Sequence, residues 1–192
     1  MADPVGAPVM SMTVEEFLAT NLPDGKWELV RGEPRVTPPP GASHGGTVMN
    51  LALLLGPFVK ERRLGRVFAD NVGYELVRLP RTVRVPDLSY VRHDRLPTDG
   101  LRPGVFTFAP DLVVEVLSPS EGASELQEKV DDYHLSGTRL IWVVDPARRT
   151  VTILADDAPA RSLHEGDTLD GGRIVPGFTC LVSELFEGIA RD

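Results

Sequence analysis

Residues 109–120, APDLVVEVLSPS, place a single carboxylate, Glu115, inside a run of Leu and Val. β-Branched runs of this kind, bounded by Pro and Ser, read as a strand covered on both faces. An unpaired carboxylate there costs several kcal/mol, roughly, so Glu115 requires a cationic partner, a bound cation or access to water. Alternation along a strand from 111 to 117 sends Asp111, Val113, Glu115 and Leu117 to one face. Asp111 and Glu115 are then about 13 Å apart, too far to share one ion.

The segments that follow this strand suggest its setting. Ser124 with Gln127 fits a capping box opening a helix that stops near Gly137, and RLIWVVDP at 139–146 reads as the next strand. A strand–helix–strand order predicts that 111–117 and 139–144 run parallel, with a right-handed crossover. TVTIL at 150–154 is the hairpin partner of the second strand, and GGRIVPGFTCLVSELF closes the chain. Upstream, Thr13 and Glu16 form another capping box before EEFLAT. KWELVRGEPRVT reads as two strands turning at Arg31–Gly32. Apolar Val48, Leu51, Leu55, Phe58 and Val59 mark a helix from Ser43 to about Arg63, with Gly65 as its stop. Three or four further short strands are expected in RVFAD, VGYELVRL and TVRVPDLSYV, with a turn at LPRT. The order predicts an α/β fold, a mixed central β-sheet flanked by helices.

With 192 residues the chain is sized for one domain, expected over 12–192 after a loose tail at 1–11. No apolar run is long enough for a membrane span, and the start lacks the pattern of a secretory leader, so a cytoplasmic location is the expectation. Cys180 is the only cysteine, which excludes an internal disulfide and a multi-cysteine zinc site; it reads as a small core residue. A net charge of −8 argues against a protein that coats nucleic acid, although a local cationic groove is compatible with it. Against 17 Arg there are only 3 Lys: Lys26, Lys60 and Lys129. Motifs for a serine nucleophile elbow, a phosphate-binding P-loop, a dinucleotide fold and a two-histidine zinc site are absent from the sequence.

Asp87 in VPDLSYV also follows a Pro at the head of a short apolar strand. If its strand neighbours that of Glu115, the two carboxylates approach within a few ångström. On the crossover helix, Lys129 lies beside the apolar stripe of Leu126, Val130 and Tyr133, so its ammonium can reach over the sheet. Two carboxylates and a lysine are the parts of a hard-metal site for phosphodiester hydrolysis, with Mg²⁺ on the carboxylates and the lysine orienting or deprotonating water and offsetting phosphate charge. The plainer reading of Lys129 and Glu115 is a salt bridge that fixes the packing.

The blocks ELVRGE, SHGGTVMNLALLLGPF, VRVPDLSYV, PDLVVEVLSPS, EKVDDYHLSGTRLIWVVDP and GDTLDGGRIVPGFTCLVSELF stand in an order that resembles the Uma-type family of bacterial restriction-endonuclease-like proteins, within the PD-(D/E)XK nuclease superfamily. The likeness runs over nearly the whole chain from about residue 12. It implies a restriction-endonuclease-like mixed sheet and a Mg²⁺-dependent endonuclease acting on DNA, with Mn²⁺ as a substitute ion and a homodimer as a further expectation. Pro86-Asp87 resembles the Pro-Asp of the signature and Glu115 its second acid, so both are metal-ligand candidates. The signature lysine is replaced by Leu117, and Lys129 is the substitute.

Glu28, in WELV, matches the early acid of the family and is a further catalytic candidate. His44, before the long helix, and Asp111, at the strand entrance, are accessory candidates; Asp111 also suits a structural role accepting backbone N–H bonds. Tyr133 reads as packing. Leu117 and the acidic net charge keep a second reading open, a catalytically inactive module on the same fold that binds DNA or protein.

Overall fold

In the computed structural model, which describes residues 11–78, 81–119 and 121–191, the crossover predicted around Glu115 is present. Elements follow in the order α1 (Val14–Ala19), β1 (Lys26–Val30), β2 (Glu33–Thr37), α2 (Ala42–Glu61), β3 (Gly65–Ala69), β4 (Tyr74–Arg78), β5 (Arg81–Arg84) and β6 (Leu88–Arg92). They continue with β7 (Leu112–Val116), α3 (Ala123–Leu135), β8 (Leu140–Asp145), β9 (Thr150–Ala155), β10 (Ala158–His164), β11 (Thr168–Asp170) and β12 (Thr179–Leu181). Strands β7 and β8 pair in parallel, Leu112 opposite Leu140 through Val116 opposite Val144, and α3 connects them. The expected tail lies outside the described residues except for Ser11. Ser120 and part of the expected LPRT turn lie outside them too.

Six strands in the order β10-β9-β8-β7-β6-β3 form the central sheet, mixed because β7–β8 is parallel and its other pairings are antiparallel. Alternation on β7 assigns the two faces. Leu112, Val114 and Val116 join the large core with Leu51, Leu55 and Val59 of α2, and Val113 packs with Val130 and Tyr133 of α3. Glu115 therefore points toward α3, as the period-two reading requires. A second sheet, β2-β1-β5-β4, is antiparallel throughout.

Several local expectations hold. Thr13 and Glu16 make both capping-box hydrogen bonds. The β1–β2 turn has Arg31 and Gly32 in the left-handed region, at φ 53° and 82°. Others change. Gly122 caps α3 without a side-chain bond, so Ser124 and Gln127 form no capping box. Helix α2 ends at Glu61, before the expected Arg63, which itself takes φ 54°. Gly65 instead opens β3, where a Cβ would lie 2.1 Å from the Val91 carbonyl oxygen, so its role is close backbone approach and not a helix stop.

Among the described residues four strands are present where three or four were expected, because TVRVPDLSYV holds two: β5 belongs to the small sheet and β6 to the central one. Pro86 has no N–H to give to a ladder, so the chain leaves one sheet and enters the other there. The exposed, polar β10 had no alternating apolar signal and was not anticipated. No helix among the described residues is long and apolar enough to cross a membrane.

Candidate active site

The Val85–Asp87 crossing between sheets brings the residues of both onto the face of β7 that α3 covers. Strands β6 and β7 are antiparallel neighbours, with Leu88 opposite Val114. Asp87, one residue before Leu88, therefore lies beside Glu115 and Val116. Its Oδ2 accepts the Val116 N–H at 2.8 Å, a side-chain continuation of the ladder past its last backbone pair. His44, in the first turn of α2, donates from Nε2 to the same oxygen at 3.0 Å. Lys26, at the start of β1, donates to Asp87 Oδ1 at 2.7 Å and lies 3.2 Å from Asp70.

Glu115 is 2% exposed. Tyr133 donates its hydroxyl to Oε1 at 2.7 Å, and Lys129 Nζ is 3.6 Å from Oε2. Lys129 also donates to Glu121 at 2.7 Å. Asp87, Glu115 and Lys129 are thus brought together, from the sheet crossing, the central strand and the crossover helix.

Electrostatics separate the two acids. Burial opposes ionisation of both, but the His44 hydrogen bond and the Lys26 ammonium hold the Asp87 carboxyl well below its ordinary value. Glu115 has weaker compensation. Full burial pushes it up to about 7, with Lys129 offsetting only part of that and the Asp87 charge adding to it. Burial works against the charge of Lys129, yet Glu115, Glu28 and Glu121 together hold its ammonium above the usual lysine range. Lys26 is likewise held protonated against burial, by Asp87 and Glu115.

A cleft of about 440 Å³ opens over this group, lined by Lys26, His44, Asp70, Asp87, Glu121 and Lys129, among others. Glu115 does not line it and lies behind Lys129. A hard divalent ion suits the donors in kind, because carboxylate oxygens predominate. It suits them in charge as well: among the described residues, Asp70, Asp87, Glu115 and Glu121 surround two ammonium groups, Lys26 and Lys129. Lys26 already occupies a cation's position against Asp87. Among the described residues no three acidic, His or Cys side chains form a metal cage, so an ion here would need water or other ligands to complete its shell, as Mg²⁺ commonly allows. The Nδ1 of His44 is buried and has no partner among the described residues.

Glu28 stands close enough for its charge to act on Glu115 and Lys129, but its oxygens are taken by other partners. Both Glu28 oxygens are engaged, Oε1 by the Val85 N–H and Oε2 by Arg84, each at 2.8 Å. Arg84, 1% exposed, also reaches Asp132 at 2.6 Å and 2.8 Å, so these three residues fasten β1, β5 and α3 together. Asp111 accepts the Arg92 N–H and pairs with Arg95, both at 2.9 Å, the structural role that suited it in the sequence. Sequence reasoning missed Lys26, Arg84, Glu121 and Asp132. The partners of Lys26, Arg84 and Asp132 are far off in the chain, 61 residues for Lys26 and Asp87, and only the rarity of lysine pointed to Lys26; Glu121 meets Lys129 only eight residues on, from the loop before α3. Burial pushes the Cys180 thiol up to about 12, consistent with an inert core position.

The model of a family described as "Putative restriction endonuclease", Uma2, matches residues 14–183. Among solved structures, a crystal structure of a "putative nuclease" of the DUF820 family from Anabaena variabilis superposes with a TM-score of 0.79 at 22% identity. That match covers 92% of this chain and 98% of the other. No curated protein matches the chain.

Proposed function

The chain belongs to the Uma2 family, and from that premise we propose that it is a Mg²⁺-dependent endonuclease hydrolysing phosphodiester bonds of DNA at the cleft over Asp87 and Glu115. The observation that carries this reading is the convergence of the Asp87 carboxylate from the sheet crossing and the Glu115 carboxylate from β7 with the Lys129 ammonium beneath an open cleft. Asp87 and Glu115 would hold the ion, which supplies Lewis-acid activation of water and of the phosphoryl oxygen. Asp87 is ionised at any pH of interest, so it offers a permanent anionic ligand. Lys129, held protonated, is unsuited to act as a base; its ammonium orients water and offsets charge on the phosphate. Lys26 neutralises Asp87 before an ion arrives. His44 holds the Asp87 carboxylate in orientation by its hydrogen bond.

Purified protein should nick or linearise plasmid DNA with Mg²⁺ or Mn²⁺, and Glu115→Ala should abolish the reaction. Cleavage persisting in that variant removes Glu115 from the mechanism. A second reading, an inactive module on the nuclease fold, is favoured by one observation: Glu115 is enclosed and both acids are already paired with ammonium groups. Calorimetry finding no divalent-ion binding at millimolar concentration supports that reading over the first.

A further inference from the structure

Beside the cleft, three guanidinium groups converge on one carboxylate. Glu128, adjacent to Lys129 on α3, has Arg35 at 2.8 Å, Arg31 at 3.4 Å and Arg84 at 3.6 Å. Arg84 is committed to Glu28 and Asp132 in the interior. Arg31 and Arg35 are not enclosed: their side chains are 61% and 48% exposed. They line a groove of about 930 Å³ between the β1–β2 hairpin and α3. Val36, Thr37 and Glu125 line both this groove and the cleft over Asp87, so the two are continuous.

We propose that this groove binds a backbone phosphate of the DNA strand whose neighbouring phosphodiester lies in the cleft, with Arg31 and Arg35 as its ligands and Glu128 holding their place until DNA arrives. The assignment rests on the nuclease reading above and extends it to a substrate subsite. Guanidinium forks meet carboxylate and phosphate oxygens in the same geometry, so a carboxylate gathered by arginines marks where a phosphate fits. Ion pairs this exposed are weak in water, which makes Glu128 readily exchanged. DNA has an added advantage as competitor, because each phosphate neutralised by an arginine releases condensed counterions. Glu125 and Asp131 face the groove from α3, so the strand is held against the hairpin side. A packing role alone would account for Arg84, which is enclosed, but not for two open arginines in a groove that adjoins the cleft.

Equilibrium binding of a fluorescent DNA duplex of about 20 base pairs, with EDTA present and over a salt series, tests the assignment on the full chain. Arg31→Ala combined with Arg35→Ala should weaken binding about tenfold or more and lower the salt slope by about 1, the loss of one phosphate contact. Glu128→Gln should tighten binding. A thermal melt matching the wild type establishes that the double variant is folded. Unchanged affinity and slope in the folded double variant, or weaker binding by Glu128→Gln, overturns the assignment. If the double variant binds like wild type while Glu115→Ala abolishes cleavage, the groove fails and the nuclease reading stands. If wild-type protein neither binds nor cleaves DNA, both fall.

Discussion

Tyr133 on the crossover helix donates its hydroxyl to Glu115 on the central strand at 2.7 Å, and both side chains are enclosed. The bond ties α3 to the sheet at the position where an acid interrupts an apolar strand. Tyr133→Phe keeps the ring and removes the donor, leaving Oε1 of Glu115 short of a partner. The expected cost is about 1–3 kcal/mol, read as a lower urea midpoint with an unchanged slope. An unaltered midpoint would show that water or another donor replaces the phenol.

The raised pKa of Glu115 has a definite consequence for stability. Its folded value of about 7 lies above the ordinary 4.5, so the folded protein binds this proton more tightly than the unfolded chain. The contribution is full below pH 4.5 and is lost as pH rises through 7. Glu115→Gln cannot ionise, so wild type should lose stability relative to that variant across this window, by up to about 3 kcal/mol. A difference that is flat with pH would place the Glu115 acidity constant near its ordinary value.

Arg84 is surrounded by acids in the interior, and its removal strands the Glu28 and Asp132 carboxylates. Arg84→Met should destabilise by about 3–5 kcal/mol, with Lys a poor replacement because it lacks the fork that meets both partners. Adding Glu28→Gln and Asp132→Asn should recover much of the loss. Failure of this triple variant to recover would assign the cost to packing instead of charge.

Glu115 was legible because one carboxylate in an apolar strand needs an explanation, and the strand–helix–strand order placed Lys129 over the same face. Asp87 was legible as a Pro-Asp at a strand head, although that Pro86 marks the passage from one sheet to the other was not. Lys26 and Arg84 were not legible, since each sits in ordinary strand alternation and acquires its meaning only when the two sheets meet. Nor was the enclosure of Glu115 behind Lys129, because periodicity assigns a face but not the depth of cover over it. The false capping box at Ser124 has a similar origin: the spacing was right, but the chain entered the helix at Gly122, two residues earlier.

The central claim is that Asp87 and Glu115 can together hold a divalent ion once their ammonium partners yield. Diffraction from crystals soaked in Mn²⁺, with anomalous scattering recorded, tests it most directly. The account predicts a single strong peak within coordination distance of oxygens from both carboxylates, with Lys26 or Lys129 displaced. Crystals saturated at millimolar Mn²⁺ that show both ammonium groups in place and no peak between these acids would contradict it.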